Sequence, residues 1–284
     1  VVGDRRWAVR WAYAFLIVFV AFALCPPFYM LLTALKTSQE ISAANNPWWV
    51  FGPTLANFTE LLASPQFRTF FANSVIVALL TVLITMLISV PAAFALSRMK
   101  FWGSGVLATG VFLTYLIPET LLFIPLFKMF ATFRDWTGIE LINHWYVLVI
   151  VYPTLTVPFC TWIMIGYFAS IPKELDEAAL IDGASWTQTL MKIFVPVALP
   201  GIIAATIFAF TVAWAQFLYP LALTTSQDQL VLSVGIATTL IKADVFNWGQ
   251  IMAGALLGAL PPLVIYAFLM DYYIAGLTAG ATKG

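Results

Sequence analysis

Apolar residues run along this chain in long blocks, and ten-residue stretches of alternating polarity, the mark of a membrane β-barrel, do not occur. Six blocks approach the ~20 residues that a bilayer core requires. They are Ala12–Leu35, Asn73–Leu96, Val106–Phe130, Trp145–Phe168, Gly201–Leu223 and Ile251–Ala275. Each predicts a membrane-crossing helix, so the expected fold is an all-α integral membrane bundle of six helices. Pro91, Pro118, Pro125, Pro153, Pro158, Pro261 and Pro262 fall inside the blocks. Membrane helices tolerate such residues, often as kinks beside a cavity.

One polar interruption stands apart. Ser170–Ile202 holds Glu174, Asp176, Glu177 and Asp182, four of the 13 acidic residues. Its local signals predict a helix–turn–helix. Ser170 is placed to cap a helix that Pro172 begins, and the three acidic residues that follow suit the positive end of the helix dipole. Leu175, Ala178 and Ala179 share one face. Asp182-Gly183 supplies the stop, because glycine takes the left-handed conformation without a Cβ penalty. Ser185 with Gln188 reads as a capping box that opens a second short helix toward Pro196. Pro200-Gly201 then turns into the fifth block.

Composition agrees with the blocks. Apolar residues are 62% of the 284, charged residues 9%, and mean hydropathy is +0.95, far from a soluble domain with about a quarter of its residues charged. Zero net charge with scattered basic residues gives no sign of nucleic-acid binding. Cys25 and Cys160 lie in apolar segments without metal-ligand spacing and read as buried small hydrophobes. Arg5, Arg6 and Arg10 precede a first block without a small-residue cleavage site, which reads as a retained span and not a signal peptide.

An even number of spans puts both termini on one side. Arg5, Arg6, Arg10, Arg98, Lys100, Lys173, Lys192 and Lys283 then share that side, against Lys36, Arg68, Lys128, Arg134 and Lys242 on the other. Eight against five, with Arg98 and Lys100 in a very short loop, predicts cytoplasmic termini and a cytoplasmic Ser170–Leu199 loop. The first external loop, Lys36 to Ala72, contains Trp48 and Trp49 and is expected to lie partly along the membrane surface.

Glu119 is the acidic residue placed deep inside a block. Desolvating a carboxylate there is costly, so it is read as facing a cavity or as held in a structural pair, with Lys128 or with another subunit. Tyr115, Tyr152, Trp214, Gln216 and Tyr219 are the aromatic and amide groups suited to a sugar, which stacks C–H faces on rings and bonds its hydroxyls to amides and carboxylates. Packing and the interfacial aromatic belt are the competing explanation for each ring. Gly254-x-x-x-Gly258 reads as a close-packing motif. His144 has no metal or base partner by sequence, and no catalytic or metal constellation is found.

Glu177-Ala178-Ala179, three residues, Gly183, nine residues, then Ile193-x-Val195-Pro196 resembles the EAA loop of ABC importer permeases, with Val195 where leucine is usual. The six-span layout resembles the same family. The tail Gly276–Gly284 is similar to the C-terminus of the shorter permease subunit of maltose-type sugar importers. Trp214-x-Gln216-Phe217 resembles the Trp-Asn-x-Phe stretch found there, with Ala215 in place of the amide and Gln216 offering another. The resemblance implies a single permease domain over 1–284 with the type I ABC importer fold. Its loop 170–199 would couple to a cytoplasmic ATPase through Glu177, Ala178, Ala179, Asp182, Gly183, Ile193 and Pro196. Its tail 276–284 would reach between two ATPase subunits through Gly280, Lys283 and Gly284. It also implies a heterodimer with a homologous second permease, an extracytoplasmic solute-binding protein, and a place in the cell (inner) membrane. In maltose-type systems the longer partner can supply most substrate contacts.

The chain has no G-x-x-x-x-G-K-[ST] of its own. No cofactor is therefore expected on this chain, and ATP and Mg belong to the partner ATPases. The expected function is the transmembrane subunit of an ATP-driven importer of a disaccharide or oligosaccharide, not an enzyme. The alternatives are a permease of the same kind for a polyol, a glycerol-phosphate-type solute or a uronate-containing sugar, and a self-contained secondary transporter. The latter calls for several intramembrane ionisable groups and an internal repeat; the sequence offers one clear group and no persuasive repeat.

Overall fold

A computed structural model describes residues 2–43, 48–99, 101–242 and 245–281. The elements in order are α1 Val2–Ala34, α2 Ser38–Ile41, α3 Ala56–Ala63, α4 Pro65–Arg98, α5 Ser104–Tyr115, α6 Glu119–Thr137, α7 Tyr146–Val151, α8 Pro153–Ser170, α9 Glu174–Ile181 and α10 Trp186–Thr189. A π turn over Leu190–Phe194 leads to α11 Val195–Val197, α12 Leu199–Ala215, α13 Leu218–Leu223, α14 Leu232–Leu240 and α15 Trp248–Ala281. Among the described residues a two-residue antiparallel pair, β1 Ile241–Lys242 with β2 Val245–Phe246, is the one strand pairing; the other elements are helical.

Among the described residues, four helical stretches are long and apolar enough to cross a membrane, or six if each of two bent pairs is one span. The expected third span is one such pair. α5 and α6 meet at 95°, because Pro118 has no N–H and disfavours a helical Ile117 before it. The expected fifth span changes at both ends. α10–α11 and α12 meet at 81°, and α12 stops where Gln216 turns extended at ψ 130. Pro91, Pro125, Pro158, Pro261 and Pro262 lie inside continuous helices instead of ending them.

The chain divides into two compact units, Val1–Arg68 with Ile236–Leu260, and Thr69–Gly235 with Pro261–Gly284. In the first, α1 exposes Phe15, Phe22 and, contrary to expectation, Cys25, as a helix wetted by lipid does. Trp48 and Trp49 are also exposed. The buried Asn57 amide of α3 donates to the carbonyls of Ala34 and Lys36, both at 2.9 Å, and closes the end of α1. Gly254 packs closely, since a Cβ there would lie 3.0 Å from Ile236 and 3.2 Å from Leu61.

The second unit has two buried clusters. One gathers Val77, Val147, Tyr152, Phe210 and Tyr219; the other gathers Phe94, Cys160, Met164, Phe168, Phe194 and Ala205. Gly201, Ala205 and Ala209, buried on α12, leave room for close packing: a Cβ on Gly201 would sit 2.4 Å from the Tyr167 ring. Small residues serve this purpose in membrane helices. Thr85 and Thr156 share a buried hydroxyl bond of 2.6 Å between α4 and α8.

Candidate functional site

The polar interruption folds as two short helices around a tight turn. Ser170 does not cap the first of them. It ends α8 and donates to the Tyr167 carbonyl at 2.7 Å, while α9 starts four residues later behind Lys173, without a side-chain cap. The stop matches expectation closely. Gly183 has φ +76, its N–H meets the Leu180 carbonyl at 3.1 Å, and the Ala184 N–H meets that of Ala179 at 2.9 Å. This is a Schellman motif, which a left-handed glycine completes. The capping box is present in both directions: Gln188 N–H to Ser185 Oγ at 3.3 Å, and Ser185 N–H to Gln188 Oε1 at 2.9 Å.

The helix begun at Trp186 then widens. Pro196 has no N–H for the Lys192 carbonyl and its ring crowds it, and the π turn just before relieves the conflict. Ile193 lies half-buried in that turn and Pro196 is exposed on α11. Glu177, Ala178, Asp182 and Gly183 are exposed, whereas Ala179 faces inward and is buried. Leu180, Ile181 and Trp186 also face outward, Ile181 at 86% exposure. An apolar patch beside carboxylates and a fixed turn is a surface suited to a protein partner. Backbone 276–281 continues α15 as helix, which includes Gly280; Lys283 and Gly284 lie outside the described residues.

Arg98, read from sequence only as a topological charge, holds this loop. Its Nη1 pairs with Asp176 Oδ2 at 3.1 Å, and its Nη2 donates to the carbonyls of Phe168 and Ile171. Its guanidinium lies 4.9 Å from the Phe194 ring centroid. The end of α4, the end of α8, α9 and the π turn thus meet on one side chain.

The second candidate region is the break between α5 and α6. It opens into a cavity of about 440 Å³ lined by Thr114, Tyr115, Glu119, Thr154, Val212 and Gln216, among others. Glu119, in the first turn of α6, is half-buried. Gln216 Nε2 donates to its Oε2 at 2.9 Å, and the Tyr219 hydroxyl donates to its carbonyl at 3.2 Å. The partner expected for Glu119, Lys128, lines a different, largely apolar cavity with Met129, Phe133 and Trp136. The extended Gln216 explains the geometry: the end of α12 turns its amide toward the start of α6.

Of the six residues expected along a solute path, Tyr115, Glu119 and Gln216 line this cavity. Tyr115 is 41% exposed and stacks on Phe159 at 4.9 Å. Tyr152 and Tyr219 are buried in the core. Trp214 stacks on Phe210 at 5.4 Å and meets Phe71 edge-on at 5.8 Å. Packing accounts for these three. Thr114 and Thr154, which nothing in the sequence singles out, become lining groups only once α5 bends away from α6.

The profile of the family described as binding-protein-dependent transport system inner membrane component matches residues 86–278. The chain is 34% identical to the sulfoquinovosyl glycerol transport system permease protein SmoH of Agrobacterium fabrum, over 92% of this chain and 89% of that protein. It is 32% identical to the trehalose/maltose transport system permease protein MalG of Thermococcus litoralis, over 94% of each. Its fold is similar to a chain of a bacterial ABC transporter involved in the import of the acidic polysaccharide alginate, with a TM-score of 0.80, 21% identity, and 95% of this chain and 98% of that one covered.

Proposed function

The chain belongs to the family of binding-protein-dependent transport system inner membrane components, and from that premise we propose that it is one transmembrane subunit of an ATP-driven carbohydrate importer. A homologous second permease completes the translocation path, two ABC ATPases supply the energy, and an extracytoplasmic binding protein delivers the solute. The whole of 1–284 acts as one permease domain in the inner membrane with both termini cytoplasmic. ATP and Mg are handled by the partners. Relatives named for the neutral sugars trehalose and maltose, and for sulfoquinovosyl glycerol, an anionic sulfonate, support a glycoside as solute and leave its charge open.

The observation that carries the reading is the α9–α10 turn. Its exposed Glu177, Ala178 and Gly183 stand on a surface with outward Leu180 and Ile181, fixed from behind by Arg98. This helix–turn–helix is the coupling loop. Glu177 pairs with a basic residue of an ATPase, Ala178 lets the partner come close, and the 170–199 segment transmits nucleotide-driven closure to α8 and α12. Asp182, Ile193 and Pro196 hold the loop's shape, and the tail 276–284 with Gly280, Lys283 and Gly284 reaches the ATPase pair. Tyr115, Glu119 and Gln216 form this subunit's share of the solute path.

The test is reconstitution of the importer with Glu177→Lys or Gly183→Leu. Loss of ATPase association or of ATP-coupled uptake is expected. Undiminished uptake in the absence of any ATPase overturns the importer reading and favours a secondary transporter.

A further inference from the structure

The cavity at the α5–α6 break has an electrostatic character that the importer reading does not require. Among the described residues lining it, Glu119 is the one that carries charge. Its other polar groups are an amide, Gln216, and the hydroxyls of Thr114, Tyr115 and Thr154. Leu116, Ile117, Leu155 and Val212 make up the apolar wall. Lys128 is nine residues further along α6, which puts it about 13 Å away along the helix axis, in the other cavity.

We infer that this cavity admits neutral, hydroxyl-rich solutes and excludes anionic ones, so that the subunit selects uncharged over acidic saccharides. The inference rests on the cavity being part of the solute path. A carboxylate accepts hydrogen bonds from hydroxyls, an amide both donates and accepts, and the half-exposed Tyr115 ring, backed by Phe159 at 4.9 Å, offers a face to sugar C–H groups. An acidic saccharide makes the same contacts through its own hydroxyls and C–H faces, so the added charge decides the difference. It loses hydration on entering an apolar-walled space. It also meets a like charge whose field the low-dielectric walls focus rather than screen. Gln216, bonded to Oε2 at 2.9 Å, fixes the position of that charge.

The test uses thiol chemistry in the assembled importer, with Cys25→Ser and Cys160→Ala as background and Thr154→Cys as the reporter. Thr114→Cys is a second reporter in case the first variant fails to assemble. Labelling rates are measured with a cationic trimethylammonium-ethyl and an anionic sulfonatoethyl methanethiosulfonate, each divided by its rate with a small thiol in solution. The cationic reagent is expected to label faster by at least about tenfold, the scale of one unit charge at close range in a partly shielded site. Glu119→Gln is expected to bring the ratio close to one. Trehalose is expected to slow labelling, and a uronate disaccharide of the same size to leave it unchanged. Equal rates for both reagents in the unmodified-Glu119 protein, or a ratio that Glu119→Gln does not move, overturn the selectivity alone. No labelling by either reagent at either position overturns the cavity's place on the solute path as well.

Discussion

Arg98 and Asp176, 78 residues apart in the chain, form a 3.1 Å ion pair whose side chains are only 4% and 15% exposed. A pair this buried stabilises little over an apolar replacement, yet removing one partner leaves the other charge desolvated and alone. Arg98→Met is therefore expected to cost about 3–5 kcal/mol, read as a lowered unfolding midpoint of the purified complex. Arg98→Lys restores little, because an ammonium cannot hold Asp176 and two carbonyls in one planar fork. The double variant Arg98→Met/Asp176→Leu recovers a large part of the loss. A double variant no more stable than Arg98→Met shows that the carbonyl bonds to Phe168 and Ile171, and not the ion pair, carry the cost.

At Gly183 the cost of substitution is purely conformational. No heavy atom lies within 4 Å of a Cβ built there, while φ is +76. Gly183→Ala is expected to destabilise the loop by about 1–2 kcal/mol and to weaken ATPase association measured by co-purification. Gly183→Asn, which tolerates the left-handed region, costs less. Equal losses in the two variants contradict a backbone origin and point to direct contact by the partner.

Gly235 presents the opposite case. A Cβ there would fall 2.3 Å from the ring of Phe70, itself 1% exposed and unable to swing aside. Overpacking of this kind costs ~1–3 kcal/mol, so Gly235→Ala lowers the unfolding midpoint. Gly110→Ala, in a helix with nothing within 4 Å, is the control and is expected to be neutral or to stabilise by ~0.5–1 kcal/mol.

These positions also show what the sequence carries on its face. α4 and α8 are plain in it, because length and apolarity alone identify a span. The Schellman turn and the capping box are equally plain, because both are local codes of two or three residues. α14 is not. Leu232–Leu240 is nine residues with Ser, Gly and two Thr, too short and polar for a span. It is held by tertiary contacts such as the Leu232 N–H on Ser74 Oγ at 2.7 Å. The bend at Pro118 is hidden for a different reason. Apolar residues flank it on both sides, so hydropathy runs through it. With the bend goes the cavity, since Thr114 and Thr154 line a space that a straight third span would not leave. Arg98 is hidden because its partners, Phe168, Ile171 and Asp176, are separated from it by 70 to 78 residues.

The Glu119–Gln216 bond supplies the last prediction. Gln216→Leu removes the donor at 2.9 Å from Oε2 and puts an apolar side chain against a half-buried carboxylate. An acceptor left in that state costs about 1–3 kcal/mol, seen as a lower unfolding midpoint. Uptake is expected to fall as well, through a raised KM if Gln216 also touches the solute. Exchanging the two groups, Glu119→Gln with Gln216→Glu, keeps one amide and one carboxylate in contact and is expected to recover most of the stability. The exchange moves the charge from α6 to the end of α12 without removing it from the cavity. Anion exclusion should therefore survive in the exchanged protein and disappear in Glu119→Gln alone. If Gln216→Leu is as stable as the parent, water in the cavity, and not the amide, satisfies Glu119; the carboxylate is then free to turn toward a solute hydroxyl without first giving up a protein bond.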